Sequence, residues 1–214
     1  MRPSTILVCA GRRIDAPDAS PSRFPLSQIE YVCRQVGAVL QEQRVTMVVS
    51  SAACGADLIV LEMARSFGIR FRILLPNSPE QFRTSSVTDR PSSVKWNWGV
   101  LYDQLIELAQ TVGDLKILEG TPEGHRGYQA VNRALVLEAM RLGEQHPGVA
   151  VGSQSVQVQA LMIWDGRPRG PQDLTLHFGE EARAYELPVL EILTYPTSQP
   201  GGRYADSNTG PTPL

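Results

Sequence analysis

Two short segments of the sequence carry residue types suited to phosphate binding. The first is Gly11-Arg12-Arg13-Ile14-Asp15. Its glycine lets a ligand approach the main chain closely, and its two guanidinium groups can each donate paired hydrogen bonds to phosphate oxygens. The second is residues 50–57 (SSAACGAD), a run of small residues. If this run opens a helix, its free backbone N–H groups can bind phosphate or ribose hydroxyls.

Further candidate ligand-binding residues follow other predicted strands. Asp57 and Asp165 are the expected acceptors of hydrogen bonds from ribose hydroxyl groups, and the arginines add positive charge. The full set of expected ligand-binding residues is Gly11, Arg12, Arg13, Ser51, Ala52, Cys54, Gly55, Ala56, Asp57, Pro76, Arg83, Asp165, Gly166, Arg167, Arg169 and Gly170.

Several of these residues also fit an ordinary structural role. Gly55 can serve as a turn glycine, and Asp57 can interact with the positive end of a helix. Arg167 and Arg169 lie in a Pro/Gly-rich loop, where solvated surface charges are common. No Walker A or GxGxxG motif accompanies the segments, so the sequence supports neither a kinase nor an NAD dehydrogenase, and we expect no cofactor.

Aromatic and thiol residues offer two further hypotheses. Trp96, Trp98 and Tyr102 can stack on a nucleobase, but aromatic residues at helical spacing are more typical of a core. Cys9 and Cys54 can act as nucleophiles, but no base for either is evident in the sequence. Structural roles are favoured in both cases.

The charge balance excludes one class of partner. The chain has 20 Lys+Arg against 22 Asp+Glu, a formal net charge of −2. A protein that coats nucleic acid needs a net basic surface, so we expect no nucleic-acid partner. Lys95 and Lys116 are the only lysines. The resulting arginine excess is typical of a GC-rich genome and gains functional meaning only where arginines converge.

Cysteines, histidines and hydropathy indicate the compartment. Three widely spaced cysteines without a CxxC pair are typical of a reduced, intracellular protein. His125, His146 and His177 stand alone, without an HExxH or HxH motif, so no metal site is expected. The apolar stretch before Gly11 is too short for a signal segment or a membrane span. We therefore expect a soluble, cytoplasmic protein with no membrane partner.

Short apolar runs alternate with amphipathic stretches, a pattern typical of parallel strands joined by helices. We predict a Rossmann-like three-layer αβα fold of the α/β class, with a mostly parallel sheet of about six strands. Ser27 and Glu30 predict a capping box, and Gly68 predicts a helix end. The predicted strands are 5–10, 46–49, 71–75, 115–118, 159–164 and 189–193. The predicted helices are 27–43, 56–67, about 94–110, 128–142 and 174–185.

The remaining segments are predicted as loops or tail. Residues 12–25 form a long Pro/Asp/Ser-rich loop after the first strand, and residues 143–155 a surface connector. Residues 1–196 are expected to form one nucleotide-binding domain, and residues 197–214 a disordered tail.

Five arginines are predicted to share one edge of the sheet. Ligands of open parallel sheets bind outside the carboxyl ends of the strands, near the point where the strand order reverses. Arg12, Arg13, Arg83, Arg167 and Arg169 all follow predicted strands. A chain of net charge −2 can therefore contain a local positive pocket for a small anion.

Taken together, these segments resemble the SLOG superfamily, a Rossmann-like group related to DNA-processing protein A and the Lonely Guy phosphoribohydrolases. The resemblance is to its prokaryotic sensor-type branch and covers roughly residues 5–193. The segment SSAACGAD after a strand is its most specific part. The residues that carry it are Gly11-Arg12-Arg13-Ile14-Asp15, SSAACGAD with Glu62, Leu74-Leu75-Pro76 with Phe82, and Ile163-Trp164-Asp165-Gly166 with Arg169-Gly170-Pro171.

The resemblance implies binding of a nucleotide-derived ligand across the strand ends. Sensor members read second messengers such as ADP-ribose derivatives or cyclic nucleotides, often in bacterial antiphage or stress systems. The Lonely Guy enzymes cleave an N-glycosidic bond with a PGGxGTxxE loop. The nearest counterpart here, residues 170–175, lacks the glycine pair, and Phe178 replaces the glutamate. We therefore expect binding rather than catalysis.

Three functions remain open at this point. The first is a sensor that binds a small phosphorylated nucleoside ligand. The second is a nucleosidase or phosphoribohydrolase that uses Glu62 or Glu119 as its carboxylate. The third is an assembly module with a vestigial pocket, whose partner is a second copy of the chain or a separate effector protein.

Overall fold

The computed structural model of the chain describes residues 3–145 and 156–196. Within these residues, six parallel strands form one sheet in the order β4-β3-β2-β1-β5-β6. The strands are β1 Ser4–Gly11, β2 Val45–Ser50, β3 Arg70–Leu75, β4 Leu115–Ile117, β5 Val156–Trp164 and β6 Val189–Leu193. The helices are α1 Ile29–Glu42, α2 Ala56–Ser66, α3 Pro79–Ser86, α4 Trp98–Thr111, α5 His125–Glu144 and α6 Leu174–Ala184.

Helices cover both faces of the sheet. Successive side chains of a strand point to opposite faces, and in β1 both sets are apolar and must be buried. Leu7 and Cys9 of β1 belong to the core under α1, α2 and α4. Ile6 and Val8 belong to a second core under α5 and α6. Strands covered on both faces need almost wholly apolar sequences, and this pattern is what predicts the strands from the sequence. The predicted three-layer α/β fold is confirmed.

Helix α3 is absent from the sequence-based prediction. It is short and polar, and only Phe82 and Ser86 are buried, so it has no continuous apolar face. The signal that marks it is local: the side chain of Ser78 accepts a hydrogen bond from the backbone N–H of Gln81, and Pro79 occupies the first turn. The helix matters because Phe82 and Ser86 reach the candidate site.

The predicted helix ends are partly wrong. Ser27 lies in a 3-10 turn, Leu26–Gln28, and α1 follows without a side-chain cap, so the capping box is not formed. Gly68 follows the end of α2 with φ of 68°, as predicted for a helix stop. Residues 12–25 contain no helix or strand, as expected. Residues 146–155 of the predicted connector and the predicted 197–214 tail lie outside the described residues.

A cluster of charges fixes the outer strands to α5. Arg72 of β3 binds Asp114 at 2.5 Å and Glu138 of α5 at 2.5 Å. Lys116 and Arg141 also contact Glu138. Burial raises the pKa of Glu138, but hydrogen bonds from Arg141, Lys116 and Arg72 outweigh this effect and lower the pKa to about 2. The three cations Arg72, Arg141 and Lys116 therefore have a structural role.

Candidate functional site

A cavity of about 240 Å³ lies at the carboxyl end of the sheet, beside β1. The strand order reverses at β1, which lies between β2 and β5, so this is the position expected for a ligand. Helices α2 and α6 both begin at the cavity. Its wall consists of Ala10, Gly11, Arg12, Arg13, Ser51, Ala53, Asp57, Phe82, Ser86, Tyr128, Val131, Asn132, Leu135, Arg169, Gln172, Asp173, Leu174 and Thr175.

Arg12 connects β1 to the loop between β5 and α6. Its Nε donates to Asp165 Oδ1 at 2.9 Å, and its Nη1 donates to Asp173 Oδ1 at 2.7 Å. Its Nη2 donates to the carbonyl oxygen of Arg167 at 2.7 Å. Only 2% of the Arg12 side chain is exposed. Burial lowers the pKa of Arg12, but the hydrogen bonds to Asp173 and Asp165 outweigh it and raise the pKa.

Asp173 is the N-cap of α6 and a junction of hydrogen bonds. Its Oδ1 accepts from the backbone N–H groups of Thr175 and Leu176, and its Oδ2 accepts from the N–H of Arg169. Burial raises the pKa of Asp173, but the hydrogen bond from Arg12 and those backbone bonds outweigh burial and lower the pKa to about 2. Asp173 is therefore a fixed anion that holds the β5–α6 loop against β1.

The two segments singled out in the sequence pack directly against each other. Gly55 has φ of 101°, and a Cβ there would lie 2.7 Å from the carbonyl oxygen of Arg12. That oxygen accepts a hydrogen bond from the N–H of Ala56 at 3.0 Å. A Cβ on Gly11 would lie 2.5 Å from the Cβ of Ala56 and 2.5 Å from the carbonyl oxygen of Ile163. Both glycines are therefore required for this close backbone contact.

Asp57 is a buried carboxylate in the wall of the cavity, in the first turn of α2. Only 6% of the residue is exposed. Its Oδ2 accepts from the N–H of Ala53 at 3.3 Å, whereas its Oδ1 has no partner among the described residues. Burial raises the pKa of Asp57 to about 7, against the opposing effect of backbone hydrogen bonds from Ala53 and Gly11. Asp57 can therefore exchange a proton near neutral pH.

Two arginines at the rim of the cavity differ in how they are paired. Arg13 forms an ion pair with Asp89. Arg169 is exposed at the rim and lines the cavity, and its guanidinium forms no ion pair or hydrogen bond within the described ranges. Because its guanidinium forms no direct ion pair with a described carboxylate, Arg169 is the arginine best placed to bind an anion from solution.

Part of the expected ligand-binding set meets at the cavity. The residues that line it are Gly11, Arg12, Arg13, Ser51, Asp57 and Arg169. The residues that do not are Ala52, Cys54, Gly55, Ala56, Pro76, Arg83, Asp165, Gly166, Arg167 and Gly170.

The second group lies elsewhere for identifiable reasons. Ala52, Cys54 and Ala56 are buried in the core, and burial raises the pKa of the Cys54 thiol. Arg83 instead binds Asp103 of α4 at 2.8 Å. A position after a strand therefore does not by itself bring a side chain into the cavity.

Other positions outside the cavity serve its structure. Asp165 binds Arg12 and Arg23. Arg167 offers its carbonyl oxygen to Arg12 and Arg23, while its side chain is exposed. Pro76 lines a different cavity. Trp98 and Tyr102 are buried in the core, as favoured by their helical spacing, so they are not placed to stack on a ligand in the cavity.

Sequence reasoning missed the α5 side of the cavity. Tyr128, Val131, Asn132 and Leu135 recur at helical spacing and all line it. The readable signal was Asn132, a polar residue within an otherwise apolar stripe. Asn132 is 7% exposed, and its amide donates to the carbonyl oxygen of Leu174 at 2.8 Å. The sequence predicts a helix over residues 128–142, but periodicity cannot distinguish a core face from a cavity wall.

Two further searches concern the described residues only. Within residues 3–145 and 156–196, no group of three His, Cys, Asp or Glu side chains is arranged to hold a metal ion. In the same part of the chain, none of the helices combines the length and the apolar character needed to cross a bilayer.

Comparisons with known proteins add little. No protein-family model and no curated protein matches this chain. A solved ABC transporter solute-binding protein from Agrobacterium vitis, with bound allitol, is 10% identical over 89% of this chain and 93% of that chain. Its TM-score of 0.14 is too low to indicate a shared fold.

Removing Arg12 should strongly destabilise the protein. In Arg12→Ala the buried Asp173 loses its cationic partner, which costs about 3–5 kcal/mol for a broken buried pair. Urea denaturation should show this loss, and the double variant Arg12→Ala/Asp173→Asn should lose less than the two single variants added together. Arg65→Ala is the control, because its pair with Glu62 is more exposed and contributes below about 1 kcal/mol. Equal losses in Arg12→Ala and Arg65→Ala would contradict this role.

Asp57 should make stability depend on pH. The folded state holds the Asp57 proton more tightly than the unfolded state does, because its pKa is about 7 rather than 3.8. The contribution of Asp57 to the free energy of unfolding therefore falls as pH rises between these values, by up to ~1.4 kcal/mol per pH unit. Urea denaturation from pH 4.5 to 7.5 should show that Asp57→Asn removes this decline, whereas Asp103→Asn retains it. Parallel profiles for wild type and Asp57→Asn would refute the assignment.

Proposed function

We propose that the cavity binds a nucleotide or a nucleotide-derived ligand. Two chemically different ends support this proposal. Phe82, Val131 and Leu135 supply apolar surface of the kind that accommodates a nucleobase. The rim beside α6 supplies the guanidinium of Arg169, which favours a phosphate group.

One observation carries the proposal: among the described residues, Arg169 has no carboxylate partner, and it lies at the rim of a largely apolar cavity. Arg12 and Arg13 are already engaged by aspartates. A ligand with one phosphate group near the rim would supply the missing negative charge. Asp57 also lines the cavity, and its Oδ1 is buried and has no hydrogen-bond partner among the described residues.

The wider role in the proposal rests on the SLOG resemblance. We infer a cytoplasmic ligand sensor in a bacterial defence or stress-signalling system, acting on a separate effector or through a homo-oligomer. Cys9, Cys33 and Cys54 are free thiols, which is compatible with a reducing compartment. The second messengers read by that family's sensor branch, ADP-ribose derivatives and cyclic nucleotides, are the first ligands to test.

Loss of the Arg169 charge should weaken nucleotide binding. Isothermal titration with AMP and cyclic AMP should show a Kd about 10- to 100-fold higher in Arg169→Ala, the scale of a hydrogen bond to a charged group. Arg167→Ala is the matched control, because it removes the same charge from the same loop but lies outside the cavity wall. The proposal fails if AMP, cyclic AMP, NAD and ADP-ribose all leave wild type unbound, or if both variants bind as wild type does.

Asp57 supports a second candidate function, cleavage of an N-glycosidic bond. The carboxylates first considered do not line the cavity: Glu62 pairs with Arg65, and Glu119 is exposed in a turn. Asp57 does line it, and a carboxylic acid with a pKa near 7 can protonate a departing base at neutral pH.

Chromatography of AMP incubated with the protein tests this candidate. If the protein is a nucleosidase, adenine is released with ribose 5-phosphate, and Asp57→Asn lowers the rate by about 100-fold or more, the scale of general acid catalysis. Glu62→Gln should release base at the wild-type rate. Binding of AMP without release of adenine would leave the sensor proposal and reject the enzyme.

A further inference from the structure

The side-chain amide of Asn132 in α5 has one branch that is held by the protein. Its Nδ2 donates to the carbonyl oxygen of Leu174 at 2.8 Å and lies 3.4 Å from Nδ1 of His177. A carbonyl oxygen can only accept a hydrogen bond, so the branch that faces Leu174 must be the NH2 group. The other branch of the amide is therefore the oxygen, Oδ1.

Oδ1 of Asn132 is an acceptor that a ligand can reach. No described residue donates a hydrogen bond to this atom, and the protein does not shut it off from solvent. The residue is only 7% exposed, and it lines the wall of the cavity beside β1. The accessible part of this side chain therefore faces the cavity, and the rest is fixed by α6.

Asn132 lies within the apolar part of the cavity wall. Val131 precedes it, and Leu135 follows one turn later on the same face of α5. The hydroxyls of Ser51 and Thr175 also line the cavity, but a hydroxyl can donate or accept and so adapts to either kind of ligand group. An amide oxygen can only accept, so Oδ1 of Asn132 favours a ligand that presents an N–H or O–H group to this part of the wall.

We propose that Asn132 selects nucleotides whose base carries an exocyclic amino group, by accepting a hydrogen bond from that amine. This inference rests on the proposed function, because it concerns how the base is recognised in the same cavity. Apolar contacts alone discriminate weakly between bases of similar shape. A base without the amine displaces water from Oδ1 and leaves it without a partner, which is costly.

A comparison of AMP with purine riboside 5′-monophosphate isolates the amine, because the two ligands differ only at position 6 of the base. Isothermal titration of wild type should give a Kd for purine riboside 5′-monophosphate about 10- to 100-fold above that for AMP, the scale of an acceptor left unpaired. Asn132→Ala should abolish this difference, because the acceptor is gone. Asn132→Leu, which keeps more of the side-chain volume, should abolish it as well.

Gln129→Ala is the matched control, because it removes a carboxamide from the same helix at a position that does not line the cavity. It should keep the wild-type preference for AMP. Equal Kd values of the two ligands in wild type would overturn this inference and leave the proposed function standing. A purely structural role of Asn132 would weaken both ligands equally in the two Asn132 variants and keep the preference, which would also overturn it. If neither ligand binds wild type, both proposals are rejected.

Discussion

The ion pairs of the buried Arg12 guanidinium are the interactions on which the carboxyl edge of the sheet depends. Arg12 follows the end of β1, where the strand order reverses. Its side chain binds Asp165 after β5 and Asp173 at the start of α6. A buried cation needs such partners, because the desolvation cost of a lone charge is several kcal/mol. The β5–α6 loop is therefore held in one position, and the rim of the cavity, including Arg169, is held with it.

The need of arginine side chains for anionic partners also explains why the carboxyl edge of the sheet, expected to be positive, is nearly neutral. Arg12, Arg13 and Arg83 each meet an aspartate. Arg167 has an exposed side chain outside the cavity wall, so among the described residues that line the cavity Arg169 is the cation without a carboxylate partner. Under the proposed function, the cavity therefore favours a ligand with limited negative charge and substantial apolar surface over a polyanion.

Two aspartates at the cavity show how environment separates groups of one chemical type. Asp173 and Asp57 are both buried at the start of a helix. Asp173 receives a guanidinium and three backbone N–H groups, which keep its pKa low. Asp57 receives only weak backbone bonds, so burial dominates and its pKa rises to about 7. The first group fixes structure, and the second is free to change its protonation state.

The sequence by itself determined the layers and the sheet, because strands covered on both faces must be apolar throughout, as in residues 46–49 and 159–164. It also placed Gly11 and residues 50–57 at the carboxyl edge of the sheet, since both follow strands. Only the tertiary structure decided which side chains share a cavity. Arg83 and Arg169 both follow predicted strands, so the sequence gives them the same expected role. In the structure, Arg83 forms an ion pair with Asp103, whereas Arg169 does not. Pairing across 20 residues or more depends on how loops pack, and a linear pattern carries no information about that packing.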